Sequence, residues 1–149
     1  MVVATLLAGC NVSFNSGAEK ADVVEAGTAD QQAVVAKAAS AFLKQLDAGA
    51  AERTWGAASP YLHQLSNKTV WSVGIRTFRS SVGAFKSRKL KGVGFTHAVE
   101  GVPAGDYAAV AFDTMFGSAT VEEKVVLHND HGTWKVMGYF LSKKYSAQL

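Results

Sequence analysis

Apolar positions recur at helical spacing between Thr28 and Gly83 and alternate with polar ones after it. "TADQ" sets Thr28 three residues before Gln31, the spacing of a capping box. Val34, Val35, Ala38, Phe42 and Leu46 then share one helical face, Lys37, Ser40, Lys44 and Asp47 lie on the other, and Gly49 supplies a stop. A shorter helix is expected over Glu52–Ala58, ending at Ser59–Pro60 because proline disfavours helical backbone in the residue before it. A third helix, capped by Ser66 or Asn67 and closed by Gly83, carries Trp71, Ile75, Phe78 and Val82 on one stripe. At about 100° per residue, Arg79 falls at the boundary of that stripe and Arg76 further out.

Four strands follow. Ser87–His97 places Val93 and Phe95 on one face, and Tyr107–Phe116 places Val110, Phe112 and Phe116 on one side. Thr120–His128 and Thr133–Ser142 complete the set, with turn residues in "GVPAGD", "GSA" and "NDHG" between them. Short connections make neighbouring strands antiparallel. The expected fold class is therefore α+β, with N-terminal helices on one face of a C-terminal four-stranded antiparallel meander. "GVG" at Gly92–Gly94 lacks the third glycine and following helix of a dinucleotide loop, and marks a bend or bulge instead.

Length and charge narrow the classes. A chain of 149 residues fits one domain with its own core. A net charge of +3 is too small to argue for nucleic acid, and the single cysteine rules out an internal disulfide or a multi-cysteine metal site. No metal or other cofactor is called for. His63, His97, His128 and His131 do not fall at metal-ligand spacing. The basic group Lys86, Arg88, Lys89 and Lys91 reads as a solvated strand edge that discourages aggregation.

The single cysteine stands in "LLAGC" (Leu6 to Cys10), which resembles the bacterial lipobox. The resemblance implies a diacylglycerol on the Cys10 sulfur, cleavage after Gly9 and anchoring of the chain to a membrane by its acyl groups. No Lys or Arg precedes the apolar run, so a basic n-region is expected upstream of Met1. Residues 1–9 are then a signal segment, 10–27 the lipidated cysteine with a flexible tether, and 28–149 a single α+β domain. As a flexible chain the tether would span roughly 20–25 Å. Asn11, in place of the aspartate that retains such proteins in the inner membrane, implies an outer-membrane address in the cell envelope, facing the periplasm.

"FLKQLDAGAAERTW", "SRKL", "GVPAGDYAAVAFDTMF", "EEKVVL" and "DHGTWKVMGYF" resemble, in order and spacing, a bacterial domain-of-unknown-function family numbered 4019, from about Gln31 to Leu141. Phe42 stands where that family's pattern has tryptophan. The resemblance implies small secreted or lipid-anchored proteins with a cone-like sheet, similar in outline to nuclear-transport-factor-2-like domains. It implies no activity, and such folds host enzymes, binders and adaptors alike.

Among individual residues, Glu123 is the most informative. Alternation puts it on the core face with Val121, Val125 and Leu127, where a carboxylate needs a partner. Arg79 and Arg88 are the candidates for a buried polar clamp; the alternative is a polar spot in a ligand cavity. Trp55, Trp71 and Trp134, with Phe42, Tyr107, Phe112, Tyr139 and Phe140, either line such a cavity or fill the core. An isomerase-type enzyme would need an acid–base pair such as Asp113 with a histidine, and alternation turns Asp113 away from the core. The expected function is a non-enzymatic envelope lipoprotein acting as a binding or adaptor module, its partner an envelope protein or a small apolar ligand.

Overall fold

The computed structural model describes residues 24–143. Cys10 and the lipobox-like stretch lie outside the described residues. The chain forms α1 (Ala29–Asp47), α2 (Arg53–Gly56), α3 (Pro60–Leu65) and α4 (Lys68–Val82), then β1 (Phe85–Thr96), β2 (Tyr107–Phe116), β3 (Thr120–Asp130) and β4 (Thr133–Lys143). Neighbours in sequence pair antiparallel in the order β1-β2-β3-β4, so the domain is α+β with a meander, and its bulge-bent sheet fits the cone-like outline.

Local chemistry sets the helix ends. Thr28 and Gln31 make both halves of the capping box, and the Asn67 side chain accepts the Val70 N–H at 2.9 Å. The expected helix over Glu52–Ala58 is shorter, and a further helix begins where the sequence pattern places an end. Ser59 caps α3, accepting the Tyr61 N–H at 3.1 Å, and Pro60 occupies its first turn. A proline ends helices that arrive from its N-terminal side, but it also suits a first turn, where its missing N–H is not needed.

Two helix faces turn relative to the sequence pattern. In α1 the buried positions are Val35, Ala39, Phe42, Leu43 and Leu46; Val34 is exposed, and Asp47, expected on the outer face, is half-buried. In α4 the inner face is Ser72, Ile75, Arg79 and Val82, whereas Phe78 is 48 % exposed. The inner face is rotated by about 50° toward Arg79, which therefore stands within the stripe, not at its boundary. The cause is electrostatic: a guanidinium placed there meets buried carboxylates, which an aromatic ring could not satisfy.

The main core lies between α1, α4 and one sheet face, with Phe42, Leu43, Leu46 and Ile75 packed against Val110, Phe112, Val125, Leu127 and Tyr139. The helices are not confined to that face. The Ser59 N–H bonds the Val136 carbonyl on the β4 edge at 2.8 Å, and Tyr61 packs over the back-face cluster Tyr107, Ala109, Val126 and Met137 with Val99 and Val102. Register shifts at Leu90/Gly92 in β1 and at Val126/Leu127 against β4 bend the sheet.

Residues 24–27, which the sequence pattern assigns to the tether, pack on β1. Glu25 and Phe95 exchange two backbone hydrogen bonds at 2.8 Å, and the Gln32 amide donates to the Ala26 carbonyl at 2.8 Å. Close approach is possible because Gly94 has no Cβ; one there would lie 2.8 Å from Val24 Cγ1.

Candidate functional site

Two polar centres are built by this framework, one sealed and one open. The sealed centre lies between the last turns of α1 and α4 and the middle of the sheet. The β2–β3 register sets Glu123 opposite Phe112 and Thr114 opposite Val121, and Arg88 pairs with Thr114, so Arg88, Thr114 and Glu123 project from one face. Glu123 is 0 % exposed and accepts four hydrogen bonds: from Arg88 Nε at 2.7 Å and Thr114 Oγ1 at 2.6 Å on one oxygen, from Tyr139 at 2.5 Å and Arg79 Nη1 at 3.3 Å on the other. Asp47 completes the set, gripped by both terminal nitrogens of Arg88 at 2.9 and 3.0 Å and by Arg79 Nη2. The guanidinium of Arg79 also lies 4.9 Å from the Phe116 ring centre, and that of Arg88 4.4 Å from Phe85.

Two carboxylates against two guanidiniums leave this centre neutral. Burial pushes the Asp47 carboxyl up, but the bonds from Arg88 and Arg79 together outweigh it and hold the group below its ordinary range. Burial, reinforced by the Glu123 charge, pushes the Tyr139 hydroxyl up, so it stays protonated and donates to Glu123. Among the described residues every buried side-chain nitrogen and oxygen has a hydrogen-bond partner. A fully partnered set of this kind joins helix to sheet, and Glu123, enclosed and accepting four bonds, has no acceptor site left for a substrate.

The open centre is a cavity of about 410 Å³ at the end of the sheet where β1 stops and β2 starts. That volume falls in the range of small-molecule sites. Phe95 and Trp134 provide aromatic walls, edge-to-face at 6.1 Å, and Tyr107 borders the cavity while its ring lies in the back-face cluster. Glu25, Gly27, Gln31 and Val34 close the side toward α1, and Thr96, His97, Asp106 and Asn129 complete the lining. His97 Nδ1 is 3.1 Å from Asp106 Oδ1, and both side chains stand largely in water, 72 % and 59 % exposed. Tyr107 donates to the Pro103 carbonyl, and its hydroxyl is pushed up to about 12, first by burial and then by Tyr61. Gly27 lies at φ +75°, and a Cβ there would come 2.5 Å from Phe95 Cε2.

The residues singled out in the sequence divide between these places. Glu123, Arg79 and Arg88 come together in the sealed centre, so Arg88 does not belong to the solvated basic edge, which is left to Lys86, Lys89 and Lys91. Of the eight aromatic residues considered for a cavity, Trp134 forms a wall of this one and Tyr107 borders it with its ring on the back face. Trp55 and Trp71 pack on each other at 6.4 Å, Trp71 reaches Phe42 and donates to Thr54, and Phe112 is buried in the main core.

The pattern does not mark Asp47 or Thr114 for the charged centre, it marks Tyr139 only as a core or cavity aromatic, and beyond Trp134 and Tyr107 it does not mark the cavity lining. Thr114 did carry a signal, being the one polar residue in step with Val110, Phe112 and Phe116. Asp47 had none, since only the meeting of α1 and α4 turns it inward. The His128 ring lies between Tyr61 at 4.4 Å and Tyr107 at 5.4 Å, with Nδ1 3.0 Å from Ser59 Oγ. Burial lowers the His128 pKa. Ser59 is fully buried, so this pair cannot meet a substrate. Among the described residues no three His, Cys, Asp or Glu side chains converge as metal ligands, and no helix is long and apolar enough to cross a membrane.

The model of a family described as "Protein of unknown function (DUF4019)" matches residues 38–139. The match takes in the sealed centre and the Phe95–Trp134 side of the cavity, but not the Glu25–Val34 side. No curated protein and no solved structure matches the chain.

Proposed function

We propose that this chain, which belongs to the DUF4019 family, is a non-enzymatic binding module of the bacterial cell envelope that takes a small molecule in the cavity at the sheet end. One contrast carries the reading. The densest set of ionisable groups is sealed and saturated, while the aromatic-walled cavity is open with polar groups at its rim. An isomerase-type reaction finds little support. Asp113 stands on the back face beside Glu122, and the His97–Asp106 pair lacks the dry enclosure that makes proton transfer efficient. The envelope address rests on "LLAGC" and the small polar residues after it. Incorporation of labelled fatty acid into the chain, lost in Cys10→Ser, tests that part; label persisting in the variant contradicts it.

Binding is tested by amide shift mapping of the full chain with a set of water-soluble benzyl compounds. Perturbations gathered on Phe95, Thr96, Asn129 and Trp134 are the expected result. A second reading, docking of an envelope protein, draws on the outward face of α4, where Val70, Val73 and Phe78 are exposed. Perturbations confined to α4 would move the binding site there and overturn the cavity.

A further inference from the structure

The cavity differs in sign from the molecule around it. The chain as a whole carries +3, yet the ionisable groups lining the cavity are two carboxylates, Glu25 and Asp106, and one imidazole, His97. Whether that imidazole is neutral or protonated, the lining is net negative. Among the described residues no cation pairs with the Glu25 carboxylate. Beside these charges stand the aromatic rings of Phe95 and Trp134, and ring faces attract cations, most strongly at tryptophan.

We propose that the cavity recognises a small organic cation, an ammonium group on an apolar or aromatic body. This rests on the reading of the cavity as a binding site and names what it takes. The carboxylates of Glu25 and Asp106 meet the charged head, and Phe95 and Trp134 pack against the body. The start of α1 would favour an anion. Its effect is offset, because Thr28 N–H bonds Gln31 at 2.8 Å, Gln31 N–H bonds Thr28 at 3.1 Å, and Asp30 sits in the first turn. About half a charge at a helix end, already capped, does not outweigh two carboxylates.

The choice of side chains also places recognition in a specific part of the chain. Glu25 lies before the part shared with the family model, which begins at residue 38, whereas Asp106, Phe95 and Trp134 lie within it. The aromatic walls and one carboxylate are then common ground, and the second carboxylate is supplied by the segment that Phe95 holds in place.

Benzylamine, benzyl alcohol and benzoate share one ring and differ in charge, so they separate the possibilities in one titration series on the full chain. With amide and indole shifts at Phe95, Asn129 and Trp134 as the readout, benzylamine should bind at least about tenfold more tightly than benzyl alcohol, and benzoate more weakly still. Both carboxylates are on the surface, so the double variant Glu25→Gln, Asp106→Asn should fold normally. It should bring benzylamine and benzyl alcohol to within about twofold. Equal binding of amine and alcohol to the wild type, with shifts at the cavity, overturns the cation and leaves the cavity as a binding site. Preference for benzoate overturns it likewise. Shifts absent from the cavity with all three compounds up to about 10 mM overturn the binding site itself, and the cation with it.

Discussion

Replacing Glu123 by glutamine changes one atom in the most buried part of the sealed centre, and its consequences can be worked bond by bond. If the amide oxygen takes the place facing Arg88 and Thr114, it keeps donors at 2.7 and 2.6 Å. The new NH₂ group then faces Tyr139 and Arg79. The Tyr139 hydroxyl can turn to accept, but a guanidinium has no acceptor, so Arg79 Nη1 at 3.3 Å confronts a donor. The reverse placement is worse, because it sets NH₂ against Arg88 Nε at 2.7 Å. Two guanidiniums are also left with one carboxylate, Asp47, and a net buried charge. A charged hydrogen bond is worth about 1.5–3 kcal/mol, and breaking a buried pair costs about 3–5 kcal/mol. Asp47 retains both arginines, so the loss should lie near about 3 kcal/mol, a fall in Tm of roughly 10–15 °C for a domain of this size. Thermal melting followed by circular dichroism at neutral pH measures it. The fall should persist in high salt, because buried charges are poorly screened. Adding Arg79→Met should cost less than the sum of the single losses, since partners in one network do not add. A Tm within about 2 °C of wild type, or strict additivity, would refute the assignment of helix–sheet attachment to this cluster.

Other perturbations should read out through pH and backbone shape. Asp47 is held below its ordinary value of 3.8 in the folded state, so the stability it contributes is present above that value and is lost as pH falls through the depressed one. Asp47→Asn should therefore flatten the acid limb of a urea-derived stability profile below about pH 4 while lowering stability at pH 7; an unchanged acid limb would contradict the shift. His128 works at higher pH. Its folded pKa lies below 6.5 because burial disfavours the charged ring, so its contribution is present above 6.5 and declines as pH drops from there. His128→Gln should remove that decline between about pH 6.5 and 5, and a slope identical to wild type would show that other groups cause it. Gly27→Ala puts a Cβ against the Phe95 ring at a positive φ, and should cost about 1 kcal/mol or more while displacing the cavity wall. Normal stability with unshifted Phe95 resonances would contradict the tight contact described there.

How far the pattern of the chain led depends on what kind of force decides each feature. The capping box at Thr28, the Asn67 cap, the four alternating strands and the inward Glu123 are local, so they are readable from spacing alone. The turning of α4 toward Arg79 is not. Phe78 and Arg79 compete for adjacent positions on the helix, and only the presence of Asp47 and Glu123 across the interface decides in favour of the charge. Pro60 was misleading for another reason: the same residue ends one helix and opens the next, and both readings obey the same steric rule. The cavity was hardest to foresee. Its walls come from residues 25–34, the end of β1, the start of β2 and the β3–β4 hairpin, which no periodicity links. Of these, the sequence marks Trp134 and Tyr107 as possible cavity aromatics, by size and not by position.

The account stands most directly on what Trp134 does. It forms a wall of the cavity against Phe95 and takes no part in the hydrogen bonds of the charged cluster, so it separates ligand binding from the attachment of helices to sheet. The measurement is calorimetric titration of the tightest-binding benzyl compound into the full chain and into Trp134→Ala, with folding of the variant verified by circular dichroism. Binding to the wild type that weakens at least about tenfold in the folded variant is the predicted result. Equal affinity in the two proteins would place the ligand elsewhere and contradict the cavity as the site of function.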